Sequence, residues 1–317
     1  MKRYFLKKAS AFSNNILASI DKYFLAQTTK DFPPLFIVGV PRSGTTMVYQ
    51  IITYQFKVAY FTPVMDYLYG IPNILFRLLK PYLKRPKPLF QSNYGKVKGL
   101  LSPSETGTIW YRWFPWDDLN SHFLRISENE IYDDCYQNLK LNILSISTVM
   151  QRPLAIKCVY LGMVINILSQ LFPHARFIHV HRDSLITIQS LYIARKKQAD
   201  SLKWWSVKPP QYNQIRQKPL LQQTVEQVYY TDKTIREELN ESAKERTFHI
   251  DYEKICQTPH QTMQDLEDWL KPSGYERYKP LDLPDSFPLS NKYILDKEIL
   301  SKMSDHLDKL RKMDSLN

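Results

Sequence analysis

Leu35 to Ile52 reads LFIVGVPRSGTTMVYQII: an unbroken apolar run, a polar loop bounded by glycines, then a helical pattern. A short apolar run that ends in a turn predicts a strand buried on both faces. Gly39 and Gly44 have the separation of a loop whose backbone N–H groups converge on a phosphate at a helix N-terminus. Ser43, Thr45 and Thr46 add hydroxyl donors to that loop. A nucleoside triphosphate loop carries Lys directly after the second glycine, whereas this chain has Thr45 there and places its cation earlier, at Arg42. The swap argues against an ordinary kinase or ATPase.

Beyond this unit the same rhythm repeats. Leu35 to Val40, Leu154 to Lys157, Phe177 to His181 and Phe248 to Asp251 are candidate buried strands. Helical patterns follow Gly44 and Asp183 and run over Glu130 to Met150, Gly162 to Phe172, Leu221 to Glu238 and Pro259 to Leu270. Strands alternating with helices predict an α/β fold: a P-loop-like parallel sheet flanked by helices on both faces, in a single domain. The expected division is a basic amphipathic segment over 1–33, the α/β domain over 34–292 and a helical tail over 293–317. Ile131, Cys135, Leu139, Ile143 and Ile146 fall on one helical face and read as a core stripe. The Pro-rich, basic stretch from Arg77 to Pro88 reads as a surface connection.

The chain has 317 residues, 44% apolar and 13% aromatic, enough for a large core and incompatible with disorder. Its 43 Lys and Arg against 31 Asp and Glu give a formal charge of +12, which favours anionic partners. Cys135, Cys158 and Cys256 have no disulfide or metal-ligand spacing and suit a reducing compartment. The first residues are basic, with Lys2, Arg3, Lys7 and Lys8, but collect no apolar run long enough for a signal peptide or membrane span, so the expected location is cytoplasmic. Tyr4, Phe5, Phe12, Ile16, Leu17, Ile20 and Phe24 recur at helical spacing, suited either to packing on the domain or to peripheral membrane contact.

Two further blocks complete a resemblance. AIKCVYLGMVINILSQLFPHARFIHVHRDSLITIQSLY has a strand ending in Lys157, a helix, a Phe-Pro turn, a strand running into Arg182 and a helix carrying Ser190. RTFHIDYEKICQTPHQTMQDLEDWL has a strand followed by Tyr252 and a helix. Together with GVPRSGTT, these blocks resemble the superfamily of sulfotransferases that use 3'-phosphoadenosine 5'-phosphosulfate (PAPS), especially the branch related to tyrosylprotein sulfotransferases and containing many bacterial enzymes. The resemblance covers about Pro34 to Leu270. It implies transfer of a sulfuryl group from PAPS to an acceptor hydroxyl, releasing 3',5'-adenosine bisphosphate, without a metal. It further implies that Arg42, Ser43, Gly44, Thr45 and Thr46 bind the 5'-phosphosulfate, Arg182 and Ser190 the 3'-phosphate, and Tyr252 the adenine.

In-line transfer to a hydroxyl needs a base at the acceptor, positive charge on the transferred group and stabilisation of the leaving oxygen. Arg42 is the candidate for the leaving side. Lys157 resembles the catalytic Lys of the tyrosylprotein branch, although Cys158 and Val159 replace the residues that usually follow it. Glu105, in SPSETGTIWYRWF, resembles a Pro-x-Glu of bacterial members and is the candidate base; as a residue just after Ser102 and Ser104, it can equally be a helix-start acid. Asp66 and His122 are the other candidate bases. Trp110, Tyr111, Trp113, Phe114 and Trp116, with Tyr60, Phe61, Tyr67 and Tyr69, fit either an acceptor pocket or core packing.

Trp204 and Trp205 lie among Lys196, Lys197, Lys203 and Lys208 and suit a mobile loop over the site. Ser290-Asn291-Lys292 reads as a helix N-cap, at a place where related enzymes bring a late loop onto the nucleotide. The expected partner is a hydroxyl-bearing small molecule, lipid or carbohydrate, with no nucleic acid, since no RNA-binding signature is present. Two alternatives are a P-loop nucleotide-dependent phosphotransferase and a non-catalytic protein that binds polyanions or membranes.

Overall fold

The structure is a computed structural model that describes residues 13–14, 16–27, 32–86, 90, 99–114, 123–127, 129–198, 203–278 and 283–315. In chain order its elements are β1 (Leu35–Val38), α1 (Thr45–Gln55), β2 (Ala59–Tyr60), α2 (Pro63–Tyr67), α3 (Pro72–Leu79), α4 (Asp134–Met150), β3 (Leu154–Lys157), α5 (Ile165–Leu171), β4 (Arg176–His181), α6 (Ser184–Lys196), α7 (Tyr212–Ile215), α8 (Leu220–Ser242), β5 (Thr247–Asp251), α9 (Tyr252–Gln257), α10 (Pro259–Leu270) and α11 (Lys297–Asp314). The five strands form one parallel sheet in the order β2-β3-β1-β4-β5. Every residue of β1 and β3 is buried. Because successive strand side chains point to opposite faces, helices must cover both sides of the sheet, as the sequence pattern predicts.

The strand order positions the site. After β1 the chain moves to the β2 edge and returns through β3 to β1; after β3 it crosses to β4 on the other side. The reversal beside β1 opens a crevice at the carboxyl ends of the strands, where ligands of open α/β sheets bind. The loop from Gly39 to Gly44 sits there. Apolar residues of β1, β3 and β4 pack with α1, α4 and α5 into one continuous core, while α6, α8 and α11 share a second cluster around Ile188, Val225 and Leu307.

Several local expectations are corrected. The stretch from Glu130 divides into a 3₁₀ turn, Glu130–Tyr132, and α4. In its expected core stripe Ile131, Leu139, Ile143 and Ile146 are buried, but Cys135 is exposed. No helix starts at Ser102 or Ser104: the backbone there is irregular, and a 3₁₀ turn begins only at Gly107. Arg77, expected in a surface connection, belongs to the last turn of α3. Ser290 to Lys292 do not cap a helix either, because α11 begins at Lys297 behind Asp296. Among the described residues, no helix is long and apolar enough to cross a membrane.

Candidate functional site

The loop after β1 is shaped by two close approaches. A Cβ at Gly39 would lie 2.6 Å from the Val180 carbonyl oxygen, so the glycine lets the loop lie against β4. Gly44 has φ of +94°, and a Cβ there would come within 2.1 Å of the Tyr252 ring. Only glycine meets both demands without strain. Arg42 holds a left-handed conformation, φ +78°, with a side chain present. Such a backbone persists where its surroundings over-determine it. Gly44 supplies no side-chain cap to α1, whose first residues Thr45 and Thr46 line the crevice.

Around this loop the distant blocks converge. The Arg42 Nε donates to Ser190 Oγ at 3.1 Å. Arg182 Nη1 donates to the Arg42 carbonyl at 3.1 Å, and Nη2 to the Ser290 carbonyl. The Arg182 guanidinium lies 4.6 Å from the Tyr252 ring centroid, a cation–π distance. Its buried Nε has no hydrogen-bond partner and is 4.0 Å from a Glu253 oxygen. Burial pushes the Tyr252 phenol up to about 12, so the ring under Arg182 is neutral at physiological pH. The late segment is tied down by Gln189 on α6, which donates to the Lys292 carbonyl at 3.0 Å and accepts from the Ile294 and Leu295 amides at 2.7 and 3.1 Å.

Across the crevice, Lys157 at the end of β3 is 4% exposed and donates to Glu105 Oε2 at 2.7 Å. Glu105 Oε1 accepts from the Val159 amide at 2.8 Å. Each carboxylate oxygen retains a second lone pair, and the ammonium has two more N–H donors. The pair can therefore hold one another and still address a ligand. Asp66 is anchored differently: its Oδ1 accepts from the Thr108 amide at 3.0 Å and the Thr108 hydroxyl at 2.6 Å. Both bonds pin the 3₁₀ turn to α2.

Arg42, Gly44, Thr45, Thr46, Asp66, Glu105, Lys157, Arg182 and Tyr252 all line one cavity of about 960 Å³. Ser190 reaches it through Arg42. Ser43 instead lines a second cavity, of about 590 Å³, on the side of α6, α8 and α11. Candidate base His122 lies outside the described residues, as does Trp116. Among the described residues no group of three or more His, Cys, Asp or Glu has metal-holding geometry.

None of the described residues of the aromatic stretch lines the cavity. Trp110, Trp113, Phe114, Tyr60 and Phe61 are core residues. The apolar wall comes instead from Met47, Phe90, Val159, Tyr160, Trp205 and Phe287. Phe90 and Phe287 meet edge to face at 4.9 Å. Their positions, nearly two hundred residues apart, carry no local signal. The stretch with Trp204 and Trp205 is anchored: Trp204 is buried, its indole N–H donates to the Val207 carbonyl at 3.1 Å, and Gln227 donates to the Trp205 and Val207 carbonyls, each at 2.9 Å.

The model of the Sulfotransferase family matches residues 33–275. No curated protein sequence matches the chain. Among solved structures, sulfotransferase STF1 from Mycobacterium tuberculosis H37Rv is 13% identical with a TM-score of 0.55, the alignment covering 96% of this chain and 80% of that one. Sulfotransferase STF9 from Mycobacterium avium is 16% identical with a TM-score of 0.50, covering 93% and 72%. At these identities the likeness concerns the fold, whereas the family match runs over most of the chain and over the loop, Lys157, Arg182, Ser190 and Tyr252: the chain belongs to the Sulfotransferase family.

Proposed function

We propose that this enzyme transfers a sulfuryl group from PAPS to an acceptor hydroxyl. The observation that carries the reading is the convergence of Arg182, Ser190 and the Arg42 loop at one end of a cavity whose other wall holds the Lys157–Glu105 pair. A nucleotide with phosphates at both ribose ends suits two anion sites that share Arg42. The uncapped start of α1 takes the 5' end, and Arg182, with an orphaned buried Nε, takes the 3'-phosphate together with Ser190.

The donor supplies the sulfuryl group: its sulfur–oxygen bond to the 5'-phosphate breaks as the acceptor oxygen bonds to sulfur. Arg42 neutralises the charge that grows on the departing phosphate oxygen. Lys157 directs its remaining N–H donors at the sulfuryl oxygens, and Glu105 takes the acceptor proton. The cationic side chains supply the positive charge that Mg²⁺ supplies in kinases, so EDTA should leave the rate unchanged. The unpaired cysteines suit a reducing, cytoplasmic setting.

Calorimetry of 3',5'-adenosine bisphosphate against 5'-AMP, without metal, tests the donor assignment. The bisphosphate should bind far more tightly, and Arg182→Ala should lower its affinity by about 30- to 100-fold while scarcely touching AMP. Equal affinities for the two nucleotides, or binding only of ATP with Mg²⁺, would replace this reading with a phosphotransferase.

A further inference from the structure

We infer that the face built from residues 16–24, from α2 and α3, and from the turn that follows α3 as far as Lys84 is a docking surface for an anionic lipid bilayer. The N-terminal stretch, helical over 16–21 and continuing as a 3₁₀ turn over Lys22–Phe24, lies along that region and is bonded to it at three points. Asn14 accepts from the Gly70 amide at 2.8 Å and donates to the Tyr67 carbonyl at 3.3 Å. Asp21, fully buried, accepts from the Asn73 side chain at 2.8 Å and the Ile74 amide at 3.1 Å. Arg77 donates to the Phe24 carbonyl at 3.0 Å. The two segments therefore present one surface.

That surface leaves large apolar and aromatic side chains in solvent. Tyr23 is 79% exposed, Tyr67 73%, Tyr82 68%, Leu78 65% and Ile16 51%. The same segments carry the exposed cations Lys22, Arg77, Lys80 and Lys84. They carry no exposed carboxylate of their own: Asp21 is buried, Asp66 is half-buried and bonded to Thr108, and no acid occurs from Tyr67 through Ser104. In sequence, residues 1–12 carry Lys2, Arg3, Lys7 and Lys8 and no acid.

Cations alone would suit any polyanion. Cations interleaved with exposed Ile, Leu and Tyr suit an interface that is charged at its surface and apolar a few ångströms below, which is the headgroup boundary of an anionic membrane. Tyr in particular places an apolar ring and a polar tip across that boundary. Asp66 lines the cavity and the next residue, Tyr67, stands on this face, so docking here would bring a membrane-borne hydroxyl toward the acceptor end. The docking itself is independent of the proposed reaction.

The test is flotation of the full chain with phosphatidylcholine vesicles, with and without about 30 mol % phosphatidylglycerol, at near-physiological salt. The chain should bind the anionic vesicles at least about tenfold more strongly than the neutral ones. Leu78→Glu with Tyr82→Glu, and separately Lys80→Glu with Lys84→Glu, should each lower that binding by about tenfold or more, and Lys309→Glu on α11 should not. All replaced side chains are exposed, so unchanged thermal unfolding is expected and serves as the check on folding. Absence of vesicle binding overturns the inference. So does loss of binding in the lysine variant alone, or preference for short DNA over vesicles, since either marks a purely electrostatic polyanion contact.

Discussion

The two ends of the cavity are built by different strategies. At the proposed donor end, one contiguous loop provides the strand end, the strained Arg42, the tight glycines and the helix start, and three further residues close on it: Arg182, Ser190 and Tyr252. At the Lys157–Glu105 end stand Val159 and Tyr160, and the rest of the apolar wall is collected from Met47, Phe90, Trp205 and Phe287, far from one another in sequence. Phosphate recognition needs backbone N–H groups at fixed angles, which only a local loop on rigid elements can supply. An apolar wall needs only shape, which any segments of suitable size can supply. The two ends should therefore respond to mutation in different currencies, donor affinity and chemistry on one side, acceptor KM on the other.

The largest effect should come from the pair that joins the ends. Glu105→Gln keeps the shape and the bond from the Val159 amide but cannot accept the acceptor proton, so kcat should fall about 10²- to 10⁴-fold with bisphosphate affinity nearly intact. A fall of less than tenfold would move the base to Asp66 or His122. Gly44→Ala should be next. Its Cβ meets the Tyr252 ring at 2.1 Å in a left-handed backbone, so the ring must leave its place beneath Arg182. Bisphosphate affinity should drop about 10- to 100-fold, readable by calorimetry, while the acceptor KM holds. Tyr160→Ala, in the cavity wall beside Glu105 and Asp66, should do the reverse, raising acceptor KM several-fold and leaving bisphosphate affinity unchanged. A donor defect in that variant would show that the ends are not separable.

This division also explains how much the sequence disclosed. GVPRSGTT was readable because a phosphate-loop geometry imposes spacing on a short stretch, and β1, β3 and β4 were readable because both-sided burial imposes apolar runs, whereas β5 is an edge strand only partly buried. Arg182 and Ser190 were found only through a resemblance, since neither residue has a local reason to face Arg42. The acceptor wall stayed open. Trp110, Trp113 and Phe114 fitted pocket or core packing alike, and the structure places them in the core, because composition cannot tell a buried aromatic from one that lines a cavity. Phe90 and Phe287 had nothing to mark them, and Ser290 looked like a helix cap because its real partner, Arg182, is more than a hundred residues away.

The smallest effect tests whether the donor platform can be loosened alone. Beneath Arg182, β4 and β5 carry His179, His181 and His249, faced by Asp232 and Arg236 from α8 and by Asp251 at the end of β5. Burial holds His179 down at about 4 and also lowers His249. Between the usual value near 6.5 and about 4, the unfolded chain takes up a proton that folded His179 refuses, so stability falls as pH is lowered through that window, by about 3 kcal/mol at most. His181 works the other way, raised by its Asp232 contact, with a contribution that is present below its unfolded value and lost as pH rises; being half exposed, it offsets only part of the loss. For Asp232, burial opposes ionisation but its cationic neighbours outweigh it, so its contribution disappears only at still lower pH. The melting temperature should therefore fall from pH 6.5 to 4, and His179→Gln should flatten that slope. Bisphosphate affinity should weaken over the same range before acceptor binding does. Parallel weakening of both would mean that the sheet carries the two ends as one rigid unit and that their separation is confined to the side chains.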